Sequence, residues 1–226
     1  MKKAIMLALA LSGGYARTVY VPSHFAVPPE HHAHLLRRGG FAHLVTPAAT
    51  GLVSTPLPLL YDAERHALLG HVARNNSHWQ DLPDADSLAI LTGPDAYVSP
   101  GYYPSKREHG RVVPTWNYEV LHVHGRLIAH DDVDWLRNLV TRLTDAHEAV
   151  RDEPWHVTDA PERFVDGQLR AIVGLELTIT RVEGKAKLSQ NRSEADQDGV
   201  IAGLTATGEP GDAALATAMR WARADA

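Results

Sequence analysis

Apolar residues come in short alternating runs or compact blocks along most of the chain, with glycine and proline between them. The clearest alternation lies at 120–130. Leu121, Val123, Gly125 and Leu127 fall on one side there, and His122, His124 and Arg126 on the other, which is the two-residue period of a half-buried strand. Shorter runs predict strands at 41–46, 52–60, 67–73 and 87–92, the last closed by Gly93-Pro94. Pro56 and Pro58 lack ladder donors, so the 52–60 strand should be irregular or at an edge. A further strand is expected at 175–188, broken by Gly184.

Helical spacing is rarer. Trp135, Leu136, Leu139, Val140 and Leu143 form one apolar stripe within 133–148, and Asp131 or Asp132 can cap it. Pro28-Pro29 opens a helix that runs through His34-Leu35-Leu36 and stops at Gly39-Gly40. Asp159-Ala160-Pro161-Glu162 reads as an aspartate-capped start, and 213–223 as a last helix. A short helical turn is expected at 75–79, and the Gly-, Pro- and Tyr-rich stretch 100–114 as a long loop. Close-set strands with few crossovers favour an antiparallel barrel over a doubly wound parallel sheet. The fold class is therefore mainly β with added helices.

Composition narrows the chemistry. With no cysteine among 226 residues, disulfides, thiolate metal sites and a cysteine nucleophile are excluded. A net charge of −5 argues against non-specific DNA binding. Met1-Lys2-Lys3, followed by an apolar run to Leu11 and small residues at Gly14 and Ala16, has the outline of a signal peptide. The alternative reading of 1–18 is an extension from a mis-assigned start. No Gly-x-Gly-x-x-Gly, Walker loop or Gly-x-Ser-x-Gly elbow occurs. His122 and His124 share a strand face, but no third metal ligand is marked by spacing, so a polar strand face is the better reading. His31, His32 and His34 lie on an expected surface helix and are read as solvated.

Several strings carry a family resemblance. They include Tyr20-Val21-Pro22-Ser23-His24-Phe25, Leu69-Gly70-His71-Val72-Ala73-Arg74-Asn75 and Gly93-Pro94-Asp95-Ala96-Tyr97-Val98-Ser99-Pro100. Tyr103-Pro104-Ser105-Lys106, Val112-Val113-Pro114-Thr115-Trp116-Asn117-Tyr118, Ile172-Val173-Gly174-Leu175-Glu176 and Lys187-Leu188-Ser189-Gln190-Asn191-Arg192-Ser193 complete the set. From Val19 onward the chain resembles the PaiB family of FMN-binding negative transcriptional regulators. The resemblance implies a six-stranded antiparallel split barrel of the pyridoxamine-phosphate-oxidase-like type, spanning 19–226. It also implies a cytoplasmic homodimer with FMN near the subunit interface, a repressor's role and DNA as a partner. Two departures stand out. Residues 1–18 precede the family pattern, which leaves export open, and Asp95 stands where a histidine is expected.

An FMN phosphate needs fixed cations and N–H donors, and the ring needs a flat slot with a few donors. The resemblance carries a phosphate or ribityl role to Arg74 and Asn75, which follow a strand and open a turn, and to His71 on that strand. The alternative for Arg74 is an ion pair. Lys187, Ser189, Gln190 and Asn191 form a dense donor set for a ring edge or phosphate, or else a helix start. Trp116, with Asn117 and Tyr118, borders the flavin or packs in a core or dimer. Ser54 and Thr55 are further ring contacts. Two other functions stay open: an FMN-dependent oxidoreductase with a pocket shaped by Tyr102-Tyr103, and a non-catalytic flavin or heme module using His122 and His124.

Overall fold

The computed structural model describes residues 19–49 and 51–224. The signal-like segment and the 1–18 extension lie outside the described residues. Six strands close a barrel in the order β1-β2-β3-β6-β5-β4, every neighbouring pair antiparallel. In chain order the elements are α1 (Pro29–Arg38), β1 (Gly40–Ala48), β2 (Gly51–Asp62), β3 (Ala67–Ala73) and β4 (Ser87–Val98). Then follow α2 (Ser105–Glu108), β5 (Thr115–His130), α3 (Val133–Glu148), α4 (Glu162–Leu169), β6 (Ile172–Lys187), α5 (Glu194–Ala206) and α6 (Pro210–Ala224).

The barrel interior is filled by alternate residues of the strands, among them Ala42, Leu44, Leu57, Leu68, Val72, Leu121, Val123 and Leu175. Leu35 and Leu36 of α1 close one end. On the outside, α3 lays Leu139 and Leu143 on Ala67 and Leu69 of β3, while Leu136 packs with Val165 and Leu169 of α4. Leu215 and Met219 of α6 join Val200 and Leu204 of α5 against Ala96 and Val98 of β4. Asp132, not Asp131, caps α3, its carboxylate accepting from Trp135 N at 2.8 Å.

Three expectations are corrected. β4 does not end at Gly93-Pro94. An extra residue between Thr92 and Asp95 shifts the register, and the buried positions change from Ser87, Ala89 and Leu91 to Ala96 and Val98. A bulge thus lets one strand serve the barrel with one parity and the α5–α6 layer with the other. β6 is not broken at Gly184. A Cβ there would sit 2.6 Å from Val27 Cβ, so the glycine admits the N-terminal segment, whose Val27 N–H donates to Gly184 O at 3.1 Å. Finally, α4 begins behind Pro161 without a side-chain cap, and Asp159 accepts from His156 N instead.

The irregular strand behaves as its prolines require. β2 pairs with β1 from Gly51 to Leu59 but with β3 only over Leu60–Asp62. Pro56 and Pro58 therefore lie where the other edge of β2 is unpaired, and a proline facing that edge forfeits no ladder bond. Below Leu60 the two strands part, because β3 continues on β6 as far as Ala73↔Ile172.

Candidate flavin site

The turn after β3 folds back into the gap between β2 and β3. Asn76 accepts from His78 N at 2.9 Å and so caps the short 3-10 turn Ser77–Trp79. The His78 side chain then reaches across the gap, with Nδ1 2.7 Å from Thr55 Oγ1 of β2 and Nε2 2.8 Å from Thr46 Oγ1 of β1. Thr46 continues to Ser87 Oγ at 2.8 Å. All four side chains are buried, so this chain of hydrogen bonds is a fixed polar floor. Above it opens a hollow of about 250 Å3 lined by Val53, Ser77, Gln80 and Asp81 among others. Ser54, Asn75 and Ser77 are exposed.

Two features of this end fit a flavin phosphate and ring. The backbone N–H groups of Asn75 and Ser77 have no partner among the described residues, whereas Arg74, Asn76, His78 and Gln80 around them are all engaged. Unpaired N–H groups at the start of a helical turn make an anion cradle. His71 Nδ1, on β3 beside the gap, is buried and also lacks a partner. Burial holds the His71 pKa below its ordinary value, so the ring is neutral and one nitrogen stays free to bond a ligand.

Arg74 does not play the part expected of it. Its Nε donates to Arg170 O at 2.8 Å and Nη2 to Ile172 O at 3.0 Å, while Nη1 and Nη2 grip both oxygens of Asp131. That uses four of the five N–H donors of a guanidinium. The nearby carboxylate raises the Arg74 pKa, and the side chain clamps the ends of β3 and β5 to the start of β6. Asp131 supplies the bidentate anion for Arg74 in this structure.

The second predicted cluster stands elsewhere. Lys187 ends β6, whose other end, Ile172, adjoins Arg74. Lys187 Nζ donates to Thr115 Oγ1 and to Trp116 O at 2.6 Å, and burial, Lys185 and Arg192 push its pKa down. Ser189 is buried with φ 67° and shares hydrogen bonds with Asn117, Nδ2 to Oγ at 2.9 Å. Gln190 folds onto its own backbone, accepting from Leu188 N and donating to Ala186 O. Ser189 and Gln190 therefore hold the reversal from β6 into α5 rather than face outward, and Ser193 caps α5 by accepting from Asp196 N at 3.2 Å. Asn191 is exposed, and so is Trp116 at 54%, set edge-on to Tyr97 with 6.4 Å between ring centroids. The structure thus sets Thr55 against the Asn75–His78 turn, with Ser54 beside it on the opposite face of β2 and His71 on the outer face of β3, and places Trp116, Lys187 and Asn191 at the other end of the sheet.

Sequence reasoning missed Thr46, Asn76, Ser77 and His78. The available signal was the run Asn75-Asn76-Ser77-His78, four polar residues directly after a strand. No group of three or more ligating side chains occurs among the described residues. His124 instead pairs with Glu183 at 3.1 Å. His31 and His34, read as solvated, pack on Trp221 of α6.

Residues 19–181 match the family model described as "Putative FMN-binding domain". The chain is 29% identical over 205 residues to the Protease synthase and sporulation protein PAI 2 of Bacillus subtilis, covering 89% of this chain and 96% of that protein. An uncharacterized protein of Saccharomyces cerevisiae is 35% identical over 119 residues, covering 50% of this chain and 70% of that one. Two solved structures share the fold. The flavocytochrome Anf3 of Azotobacter vinelandii has TM-score 0.55 and 13% identity, with 79% of this chain and 78% of that one covered. The FAD and heme binding protein of Mycobacterium smegmatis has TM-score 0.53 and 17% identity, with 78% of each chain covered. No helix among the described residues is long and apolar enough to cross a membrane. The chain belongs to the PaiB-type family of FMN-binding split barrels, and FMN is its cofactor.

Proposed function

We propose that this protein is a cytoplasmic homodimeric regulator that holds FMN between two subunits. One subunit supplies the phosphate cradle at Asn75–Ser77 with His71, Ser54 and Thr55. The other supplies Trp116 against the ring and Lys187 and Asn191 at its rim. The observation that carries this is the separation of the two clusters along β6. Sixteen residues lie between and including their anchoring ends, roughly 50 Å of strand path at about 3.3 Å per residue. One mononucleotide does not bridge that distance within a protomer, so a site using both clusters needs two chains. The name of the Bacillus subtilis relative ties that protein to protease synthesis and sporulation, which supports a regulatory reading here.

Ser77 is the first residue of its 3-10 turn, a position where proline fits, so the substitution keeps the turn and removes the N–H together with the serine hydroxyl. Ser77→Pro should weaken FMN binding by about 10–100-fold, the worth of one charge-assisted hydrogen bond. Trp116→Ala should weaken it comparably. Mixing the two variants, with time for subunit exchange, should restore tight sites, because a mixed dimer carries one site with both halves intact. Flavin fluorescence titration reads this directly. Wild-type affinity in each variant, or no recovery on mixing, defeats the two-subunit site. The regulator reading further expects DNA affinity that falls with salt and differs between oxidised and reduced flavin. If neither form shows it, the regulator reading fails.

A further inference from the structure

The bulge of β4 faces a charged residue that the flavin reading does not use. Glu119 of β5 lies opposite Gly93-Pro94, between the pairs Thr92↔Val120 and Asp95↔Tyr118. It shares the buried parity of Asn117, Leu121 and Val123, so its carboxylate is turned toward the barrel end instead of solvent, with 4% of the side chain exposed. Gly93 leaves the room, since a Cβ there would meet Glu119 Oε2 at 2.9 Å. Arg38, from the last turn of α1, donates to Oε2 at 3.0 Å. Among the described residues, Oε1 and the other N–H groups of Arg38 have no partner. This pair lines a cavity of about 230 Å3 between α1 and α6, and beside it a smaller one of about 60 Å3 at Gly93. The far wall is aromatic, with His34 stacked on Trp221 at 5.2 Å and 13° between rings. Leu35 and Ala218 make the cavity's apolar side.

We propose that this cavity binds a small zwitterion of the amino-acid class. The ion pair, with Glu119 buried and Arg38 about half exposed, keeps spare donors and a spare acceptor and is neutral overall but strongly dipolar. A ligand with a carboxylate for Arg38 and an ammonium for Glu119 matches it without leaving an uncompensated charge. A simple anion or cation would meet one attractive and one repulsive partner. The volume lies below the ~300 Å3 at which pockets for drug-sized ligands begin, so it admits one amino acid with its side chain toward Trp221 and excludes a flavin. The cavity shares no residue with the turn, β2 or Lys187 clusters, and α6 lies beyond the matched residues 19–181.

The test is a melting screen of the full chain against the standard L-amino acids, followed by calorimetric titration. One amino acid, or a few of related side chain, should raise the melting temperature by roughly 5–10 °C at about 100 times its Kd. The corresponding amine and the N-acetylated acid should bind at least about tenfold more weakly, each having lost one charged contact. Glu119→Gln should abolish the shift, and so should Ala214→Leu, which fills the cavity from an exposed position on α6. If Glu119→Gln fails to fold, Ala214→Leu decides alone. FMN titration of each folded variant should match the wild type, which separates this site from the flavin reading. The proposal is overturned if no amino acid shifts the melting temperature, or if the shift persists in Ala214→Leu.

Discussion

His78 is the side chain on which the gap between β2 and β3 closes. Both of its nitrogens are spent on threonine hydroxyls from different strands, and it is 3% exposed. His78→Ala should cost about 2–4 kcal/mol, since it leaves two buried hydroxyls short of a partner as well as a void. A urea midpoint measures this. Burial holds its pKa below the ordinary value near 6.5, as it does for His71 and, before the effects of Glu183, His124 and Arg181, for His122. The unfolded chain therefore binds protons that the folded chain refuses. Stability from these groups is complete above the unfolded pKa and is lost as pH falls through and below about 6.5. The slope is up to about 1.4 kcal/mol per pH unit for each histidine kept neutral. Melting temperatures between pH 7.5 and 5 should fall, and fall less steeply in His78→Ala. Equal slopes would show that His78 titrates freely. At this scale the sequence was only partly legible. The chemistry of Arg74 could be read, but not its occupation by Asp131, 57 positions away. Side-chain competition over that distance has no local signature.

Elements were easier to read where one periodicity acts alone. α3 has the bounds its stripe and cap predict, 133–148, because a single face is buried and Asp132 fixes the first turn. β4 and β6 were misread because local breakers were given a local meaning. Gly93 and Gly184 are there for neighbours that arrive from elsewhere in the chain, Glu119 and Val27. Gly174 is the same kind of residue. A Cβ at that position would sit 2.1 Å from the Trp135 ring, which lies over β6 and stacks on His130 at 4.1 Å. Gly174→Ala should therefore lift α3 from the sheet and cost about 1–3 kcal/mol, the usual range for overpacking. Pairing it with Trp135→Leu should cost less than the sum of the two single changes, because they share one contact. Additive effects in chemical denaturation would mean that α3 is not seated through this residue.

At the scale of the molecule, the barrel followed from alternation, whereas the position of the two candidate flavin clusters depended on strand order and length. The outer face of β1, β4 and β5 bears on how those clusters could meet. Its residues stand in register across three strands: Val45, Leu88 and His124 in one row, His43, Ile90 and His122 in the next. Phe41 extends it on β1 and is 65% exposed. If a second copy completes the flavin site, as proposed above, this strip of apolar residues and histidines is the surface expected to pair. Ile90→Lys puts a charge at its centre, next to His43 and His122. The position is half exposed in a single chain, so the fold should lose no more than about 1 kcal/mol. In the dimer the same ammonium would be buried without a counter-ion, at a cost of several kcal/mol. Sedimentation should then show a monomer at concentrations where the wild type pairs. FMN affinity should drop at least about tenfold even though no residue of either cluster has changed, because each cluster alone holds only part of the cofactor. A variant that stays dimeric would move the interface to another face. One that becomes monomeric yet keeps its flavin would show that a single chain suffices, and the separation along β6 would then have to be explained by a cofactor resting on the Asn75–Ser77 turn alone.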